Sequence, residues 1–422
     1  MNTLATAPSR TNESGARISF ALFVAAALIG LIHLSGPIPF GAGFEMVAIA
    51  KNLASQGTFA NPFEVLNTGP TAANPPLYPV LLAIFMRVFR IPALVLLAAS
   101  VGNIVMNAIT ASLLPRVSHL FFGNMMPGIV ASVLWLASMR LMPAWDTGYT
   151  VVGLLTFCLC SASATPEKTG QSIARGVLAG IIAGLLFLLN PSTLMVLVPW
   201  VLYLGLRRKL GLKEGAVVLI LVSLAAFGWM VRNRRELGAF VVRTNMGITL
   251  YASNNDCAEA NLVANESQDC YQSHSPNTSV SEAQVLRSIG EVKYDQMRVA
   301  DAKLWMKTHP ERFRALTIQR FRDFWFPPIQ DHPIPSCAIW VATAFSIPGL
   351  IWMVRRREHV TLFIVVALIF YPLMYYIAAS AIRYRYPVLW LSSLPAGYFI
   401  QQLLPAKLKI RVNGLASVGP SA

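Results

Sequence analysis

Acidic residues are scarce in this chain. Asp and Glu number 19 among 422 residues, against 34 Lys and Arg, and charged residues of both signs make up only 13%. With 55% of residues hydrophobic, that scarcity excludes a disordered or charge-solvated protein. Cysteine is also sparse, at five residues, which excludes a disulfide-dense scaffold. Cys158 and Cys160 fall in an apolar run and read as packing residues. Cys257 and Cys270 fall in a long polar loop, each preceded by Asp; they pair if that loop meets an oxidising compartment and stay free thiols if it does not. The six His are scattered, no H-E-x-x-H occurs and no Cys/His spacing reads as a zinc site. No internal repeat is visible, a feature common among transporters.

What the chain does have is long apolar runs. Ten windows suit a bilayer crossing: 18–34, 92–114, 123–139, 147–163, 175–189, 191–206, 214–231, 337–354, 360–379 and 387–404. The reading is an all-α polytopic membrane protein. The polar, Arg-bearing start (1–17) precedes a first span without a small-residue cleavage site, so it reads as a cytoplasmic tail and not a signal peptide. Segment 75–90, "PPLYPVLLAIFMRVFR", has an apolar core only from Leu77 to Met86, too short to cross, and reads as an interfacial or re-entrant helix.

The net charge of +15 fits this topology and needs no nucleic acid. If 75–90 does not cross, the basic loops around Arg116, Lys168 and Arg175, Arg207–Lys213 and Arg355–Arg357 are all cytoplasmic, as is the tail 405–422. The opposite face then holds the first loop (35–91), the turn 140–146, the long loop domain 232–336 and the turn "SAIRYRYP" at 380–387. The membrane module runs 18–231 and resumes at 337–404.

Two of the few acids, Glu45 and Asp146, fall on that outer face. Each has two readings: an ordinary solvated acid, paired with Lys51 or Arg140, or a working carboxylate, a general base on a hydroxyl or a ligand for a divalent cation. Outward arginines run against the positive-inside trend and call for an account. "VRNRRELG" places Arg232, Arg234 and Arg235 at a span's exit. "IRYRYP" interleaves Arg383 and Arg385 with Tyr384 and Tyr386. Guanidinium binds phosphate in a bidentate fork, and it can also snorkel to phospholipid headgroups. Carboxylate and guanidinium together suit transfer of a group away from a lipid phosphate; the residues alone do not name the group.

Four stretches carry a family likeness: "IAKNLASQGTFANPF…TGPTAANPPLYPVLLA", "VRNRRELGAFVVRTNMGITLYASNN", "HPERFRALTIQRFRDFWFPP" and "RYRYPVLWL". In order and spacing they resemble the GT-C superfamily of integral-membrane glycosyltransferases, in the branch of dolichyl-phosphate-mannose protein mannosyltransferases and the lipid A aminoarabinose transferase. The resemblance implies a GT-C-like fold and an inverting hexosyl- or pentosyltransferase. Its donor would be a polyprenyl-phosphate-linked sugar, and its acceptor a lipid, glycan or protein at the outer surface of the bilayer. It implies Glu45 and Asp146 as catalytic base or ligands of a divalent ion (Mg, Mn or Zn). Asn74, Tyr78, Arg232, Arg383, Tyr384 and Arg385 become candidate substrate contacts. The family's first-loop motif starts with Asp-Glu, and alignment on "G-T-F" puts Ala42 and Gly43 there, so Glu45 is displaced by a few residues. A transporter or flippase of lipid-linked sugars, and a non-catalytic polyprenyl-lipid binder, are the alternatives. The expected location is a bacterial inner membrane, with the site facing the periplasm.

Within the long loop, 281–308 reads as one charged helix and Pro310 opens a second. The second is amphipathic, with Phe313, Leu316, Phe321, Phe324 and Trp325 against Arg312, Arg314, Arg320 and Arg322. The Asn/Ser-rich segment 253–280 reads as a mobile lid or acceptor contact. Its Asn265 and Asn277 match a glycosylation pattern by chance.

Overall fold

The computed structural model describes residues 10–404 apart from 39, 41–43, 163–168, 208 and 331; Ala42, Gly43 and the basic tail therefore lie outside the described residues. The described chain is helical, with two isolated bridges and no strands. α1 (Arg10–His33) is followed by a packed pair, α2 (Glu45–Gln56) and α3 (Leu77–Phe89). Next come α4 (Pro92–Phe122), α5 (Met126–Ser138), α6 (Thr147–Ser161), α7 (Thr169–Leu189), α8 (Leu194–Leu206) and α9 (Leu212–Leu237). The long loop folds into α10 (Met246–Ser253), α11 (Leu262–Ser267), α12 (Cys270–His274), α13 (Val280–Ile289), α14 (Glu291–Thr308) and α15 (Pro310–Trp325). α16 (Pro333–Arg355), α17 (Val360–Phe370), α18 (Leu373–Ile377) and α19 (Tyr386–Leu403) close the chain.

Every expected span falls on a helix. Five stretches are long and apolar enough to cross a bilayer by themselves: Ser14–His33, Pro92–Phe122, Leu212–Leu237, Pro333–Arg355 and Val360–Ile377. The other apolar helices are shorter, and α3 is among the shortest at 13 residues, about 20 Å of rise. α3 buries Tyr78, Pro79, Leu82 and Ala83 against α2, α4 and α7, and leaves Val80, Ile84 and Val88 exposed. α19 is the axis of the bundle, with every residue from Tyr386 to Tyr398 buried.

Small residues set the closest crossings. In a bilayer, helices gain little from burying apolar surface and pack instead through close approach of backbones. On α7, Gly176, Gly180 and Gly184 recur at every fourth position and face Glu214, Leu221 and Ala225 of α9. A Cβ at Gly349 of α16 would lie 2.1 Å from the Pro395 carbonyl oxygen of α19, and one at Gly397 of α19 would lie 2.2 Å from that of Pro127 on α5. These contacts seat α19 between α16 and α5.

The loop domain departs from expectation in two places. The charged helix 281–308 breaks at Gly290, whose φ of 88° is readily adopted only by glycine. The segment read as mobile forms α11 and α12, is closed by a disulfide between Cys257 and Cys270, and buries Asn265 and Asn277. The amphipathic reading of α15 places Leu316 and Phe324 inside, as found, but Arg320 is also fully buried. Arg320 donates to Asn254 Oδ1 (3.1 Å), to the Ile377 carbonyl (2.9 Å) and to the Ser253 carbonyl. Burial, helped by Arg312, lowers its pKa to about 10. Ser380 pairs in both directions with the same domain, donating to the Ala260 carbonyl (2.8 Å) and accepting from Leu262 N–H (2.9 Å). The loop domain thus fixes the turn that carries Arg383.

Candidate functional site

Glu45 opens α2 at the N-terminal end, where a carboxylate is favoured by the helix dipole. Asn277 Nδ2 donates to its Oε1 at 2.8 Å. The charge facing it is Arg383, whose guanidinium lies 3.8 Å above the Trp145 ring and donates to Tyr384 Oη at 3.0 Å. Burial alone would lower the Arg383 pKa; Tyr384, Glu45 and Tyr271 more than reverse this and raise it. Arg383 Nε is buried without a hydrogen-bond partner, which leaves a donor available in the cluster. Tyr271 beside it is pushed up to about 12 by burial and by Glu45. Phe44 meets Trp145 edge to face at 5.4 Å, so the residues preceding Glu45 and Asp146 in the chain touch. Lys51, a possible partner for Glu45, pairs with Glu64 instead.

Asp146 immediately precedes α6 and is buried; its side chain makes no capping hydrogen bond. Thr150 Oγ1 donates to its Oδ2 at 2.9 Å, and Asn190 and Arg243 also act on it. Burial outweighs these partners and raises its pKa. The break between α7 and α8 at Asn190–Pro191 brings Asn190 to Asp146. Tyr371, Tyr375 and Tyr384 form an aromatic run between the two acids: Tyr375 stacks on Tyr384 at 4.6 Å and meets Tyr371 at 5.6 Å, and Tyr371 senses the Asp146 charge.

The other expected contacts divide. Asn74 is buried in this region, with its Oδ1 accepting from Arg243 Nη2 (3.2 Å) and its Nδ2 unpartnered. Tyr78 is buried and donates to the Pro143 carbonyl at 2.5 Å, so it braces the turn that holds Asp146. Arg232 is committed elsewhere: it donates to the carbonyls of Thr71 (2.5 Å) and Phe59 (2.8 Å) and stacks on Phe59 and Trp229. Arg385 lies two residues beyond Arg383 but is fully buried, over Trp325 at 4.4 Å and donating to Ser392 Oγ at 2.6 Å. Burial lowers its pKa to about 9. Neither Arg232 nor Arg385 has Glu45 or Asp146 among its contacts. Arg243 is the cation that sequence reasoning missed. It is exposed, and its Nε donates to the Ala73 carbonyl at 2.7 Å. Its one signal was a charge set in the apolar run "AFVVRTNMG".

A divalent ion on Glu45 and Asp146 would need their oxygens to converge. Glu45 faces Asn277, Tyr271 and Arg383, whereas Asp146 faces Thr150, Asn190 and Arg243. Among the described residues, the only trio of ligand-bearing atoms close enough to share an ion is Cys257, Cys270 and His274, and its two sulfurs are bonded to each other. That trio offers a metal thiolates only after reduction. An apolar groove of about 190 Å³ opens between α3, α6 and α7, lined by Leu77, Tyr149, Gly153, Ile182, Leu185 and Leu189; Asp146 is not part of its wall.

No family model and no curated protein matches the chain. Solved structures do. One is the archaeal oligosaccharyltransferase AglB from Archaeoglobus fulgidus in complex with an inhibitory peptide and a dolichol-phosphate, at a TM-score of 0.52 and 14% identity over 96% of this chain. Another is an Archaeoglobus fulgidus oligosaccharyltransferase complex with Zn and sulfate, at a TM-score of 0.50 and 14% identity over 93% of this chain. The chain spans about half the length of each, 52% and 50%. At this identity the likeness establishes the fold, which is of the GT-C type.

Proposed function

On a GT-C-type fold, we propose that this chain is an inverting glycosyltransferase acting at the extracytoplasmic membrane surface. It would move a sugar from a polyprenyl phosphate to a hydroxyl acceptor. The observation that carries the reading is one aromatic cluster that links Arg383 to Glu45: Arg383 lies over Trp145, and Trp145 meets Phe44, the residue before Glu45. A base and a phosphate-binding cation in one cluster are what such a displacement requires.

In this reading Glu45 takes the proton of the acceptor hydroxyl, held in line by Asn277. The acceptor oxygen attacks the anomeric carbon as the bond from that carbon to the phosphate oxygen breaks. The electron pair leaves with the phosphate, and single displacement inverts the carbon. Arg383, with its unpartnered Nε, and the exposed Arg243 meet the charge on the departing phosphate. Asp146 and Asn74 orient Arg243. The apolar groove between α3, α6 and α7 seats the first prenyl units. The dolichol-phosphate and the sulfate in the two similar proteins are in keeping with an anion held at a lipid headgroup. A bacterial inner membrane with the site facing the periplasm fits the charge asymmetry of the loops.

The test uses purified protein reconstituted in lipid and given a panel of polyprenyl-phosphate sugars. Release of polyprenyl phosphate, abolished by Glu45→Gln, is expected. Vectorial movement of the lipid-linked sugar without bond cleavage would replace this reading with a transporter, and neither outcome across the panel would leave a lipid-binding protein.

A further inference from the structure

A buried carboxylate outside the reacting cluster has no part in the chemistry above. Glu291, at the first position of α14, is 5% exposed. Its Oε1 accepts from the backbone N–H of Ala72 at 2.8 Å and from the hydroxyl of Thr244. Thr244 N–H in turn donates to the Ala72 carbonyl at 3.2 Å. Burial raises the Glu291 pKa, and Thr244, Ala72 and Thr71 counter it. The nearby charges are Arg232 from α9 and Asp295 one turn along α14.

These bonds belong to a larger knit. Segment 71–74 is gripped along its length. Arg232 holds the Thr71 carbonyl, Glu291 holds the Ala72 N–H, and Arg243 holds the Ala73 carbonyl and Asn74 Oδ1. Arg243 and Thr244 are neighbours in the chain, so Glu291 fixes at one point both the strip that presents Asn74 and the strip that presents Arg243. These two strips are about 170 residues apart in sequence. A free strip of this kind would have to lose its conformational freedom each time a phosphate bound.

We propose that Glu291 is a positioning residue: it locks Asn74 and Arg243 into a preformed donor-phosphate cradle and so couples the loop domain to the site. The inference rests on the reading of Arg243 as a phosphate contact. Its structural half can be tested without any substrate.

Two variants separate the possibilities. Glu291→Gln keeps an oxygen that accepts from both Ala72 and Thr244, whereas Glu291→Leu keeps the bulk and removes the acceptor. Hydrogen–deuterium exchange on the full chain is read over 70–76. Exchange in Glu291→Leu should rise by at least about tenfold, the equivalent of one lost buried hydrogen bond, while Glu291→Gln stays near wild type. In turnover with a polyprenyl-phosphate sugar, Glu291→Leu should raise KM for the donor by roughly tenfold and leave the acceptor KM unchanged. The loss should be non-additive with Arg243→Ala. Unchanged exchange over 70–76 in Glu291→Leu overturns the proposal. So does a fall in kcat alone, or an equal loss with both variants. Raised exchange with no turnover by wild type on any donor would leave the cradle standing and refute the transferase reading instead.

Discussion

Asn277 Nδ2 donates to Glu45 Oε1 at 2.8 Å across 232 residues of chain, from just beyond the loop closed by the Cys257–Cys270 disulfide. The bond fixes the rotamer of the acid proposed as base. Glu45→Gln should lower kcat by about 10²- to 10⁴-fold, the range of a lost general base, with little change in donor KM. Asn277→Ala should cost only about three- to tenfold, as a lost orienting hydrogen bond. Steady-state kinetics on the reconstituted protein checks both. Equal losses in the two variants would move the base elsewhere.

Arg383 sits flat over Trp145 and donates sideways to Tyr384, a geometry that uses the planar guanidinium. Arg383→Lys should therefore rescue little. Both Arg383→Lys and Arg383→Ala are expected to lose on the order of 100-fold in kcat/KM. Full activity in the Lys variant would show that a point charge suffices and that stacking on Trp145 is incidental.

Burial raises the Asp146 pKa above its ordinary 3.8 despite Thr150, Arg243 and Asn190. From pH 3.8 up to the raised value, the folded protein holds a proton that the unfolded chain has lost, so this group's contribution to stability falls as pH rises through that window. Above the window the penalty is constant. Asp146→Asn removes the penalty while keeping an acceptor for Thr150. The variant should melt at or above the wild-type temperature at pH 7, with the difference vanishing below about pH 4, where both forms are uncharged. Turnover should nevertheless fall. Thermal unfolding in detergent across this range checks the sign.

Gly349 and Gly205 separate backbone approach from helix propensity. A Cβ at Gly349 meets the Pro395 carbonyl at 2.1 Å, while one at Gly205 meets nothing within 4 Å. Gly349→Ala should destabilise by on the order of 1–3 kcal/mol through forced separation of α16 and α19. Gly205→Ala should be neutral or slightly stabilising. Comparable melting shifts in both would mean that the α16–α19 crossing is more compliant than its geometry.

Parts of the site were legible in the sequence because they depend on local signals. Glu45 and Asp146 stood out as acids in an acid-poor chain at the edges of apolar runs. Arg383 stood out as a cation on the face where cations are rare. The same rule also selected Arg232 and Arg385, and nothing local separates them from Arg383. Arg232 is committed to two carbonyls of the first loop, and Arg385 to Ser392 and Trp325. Arg243 and Glu291 escaped notice because each looks ordinary in its own segment.

Hydropathy and charge are properties of short windows, and water and lipid act on each window almost independently. The sequence alone therefore determined the helical spans and the short character of 77–89. Which arginine turns toward Glu45, which carbonyls hold segment 71–74 and which helices cross at glycine were decided only in the tertiary structure. Those outcomes depend on helix rotation and on hydrogen bonds between residues 170 or more apart, such as Arg232 to Phe59 and Asn277 to Glu45. No window of sequence contains both partners.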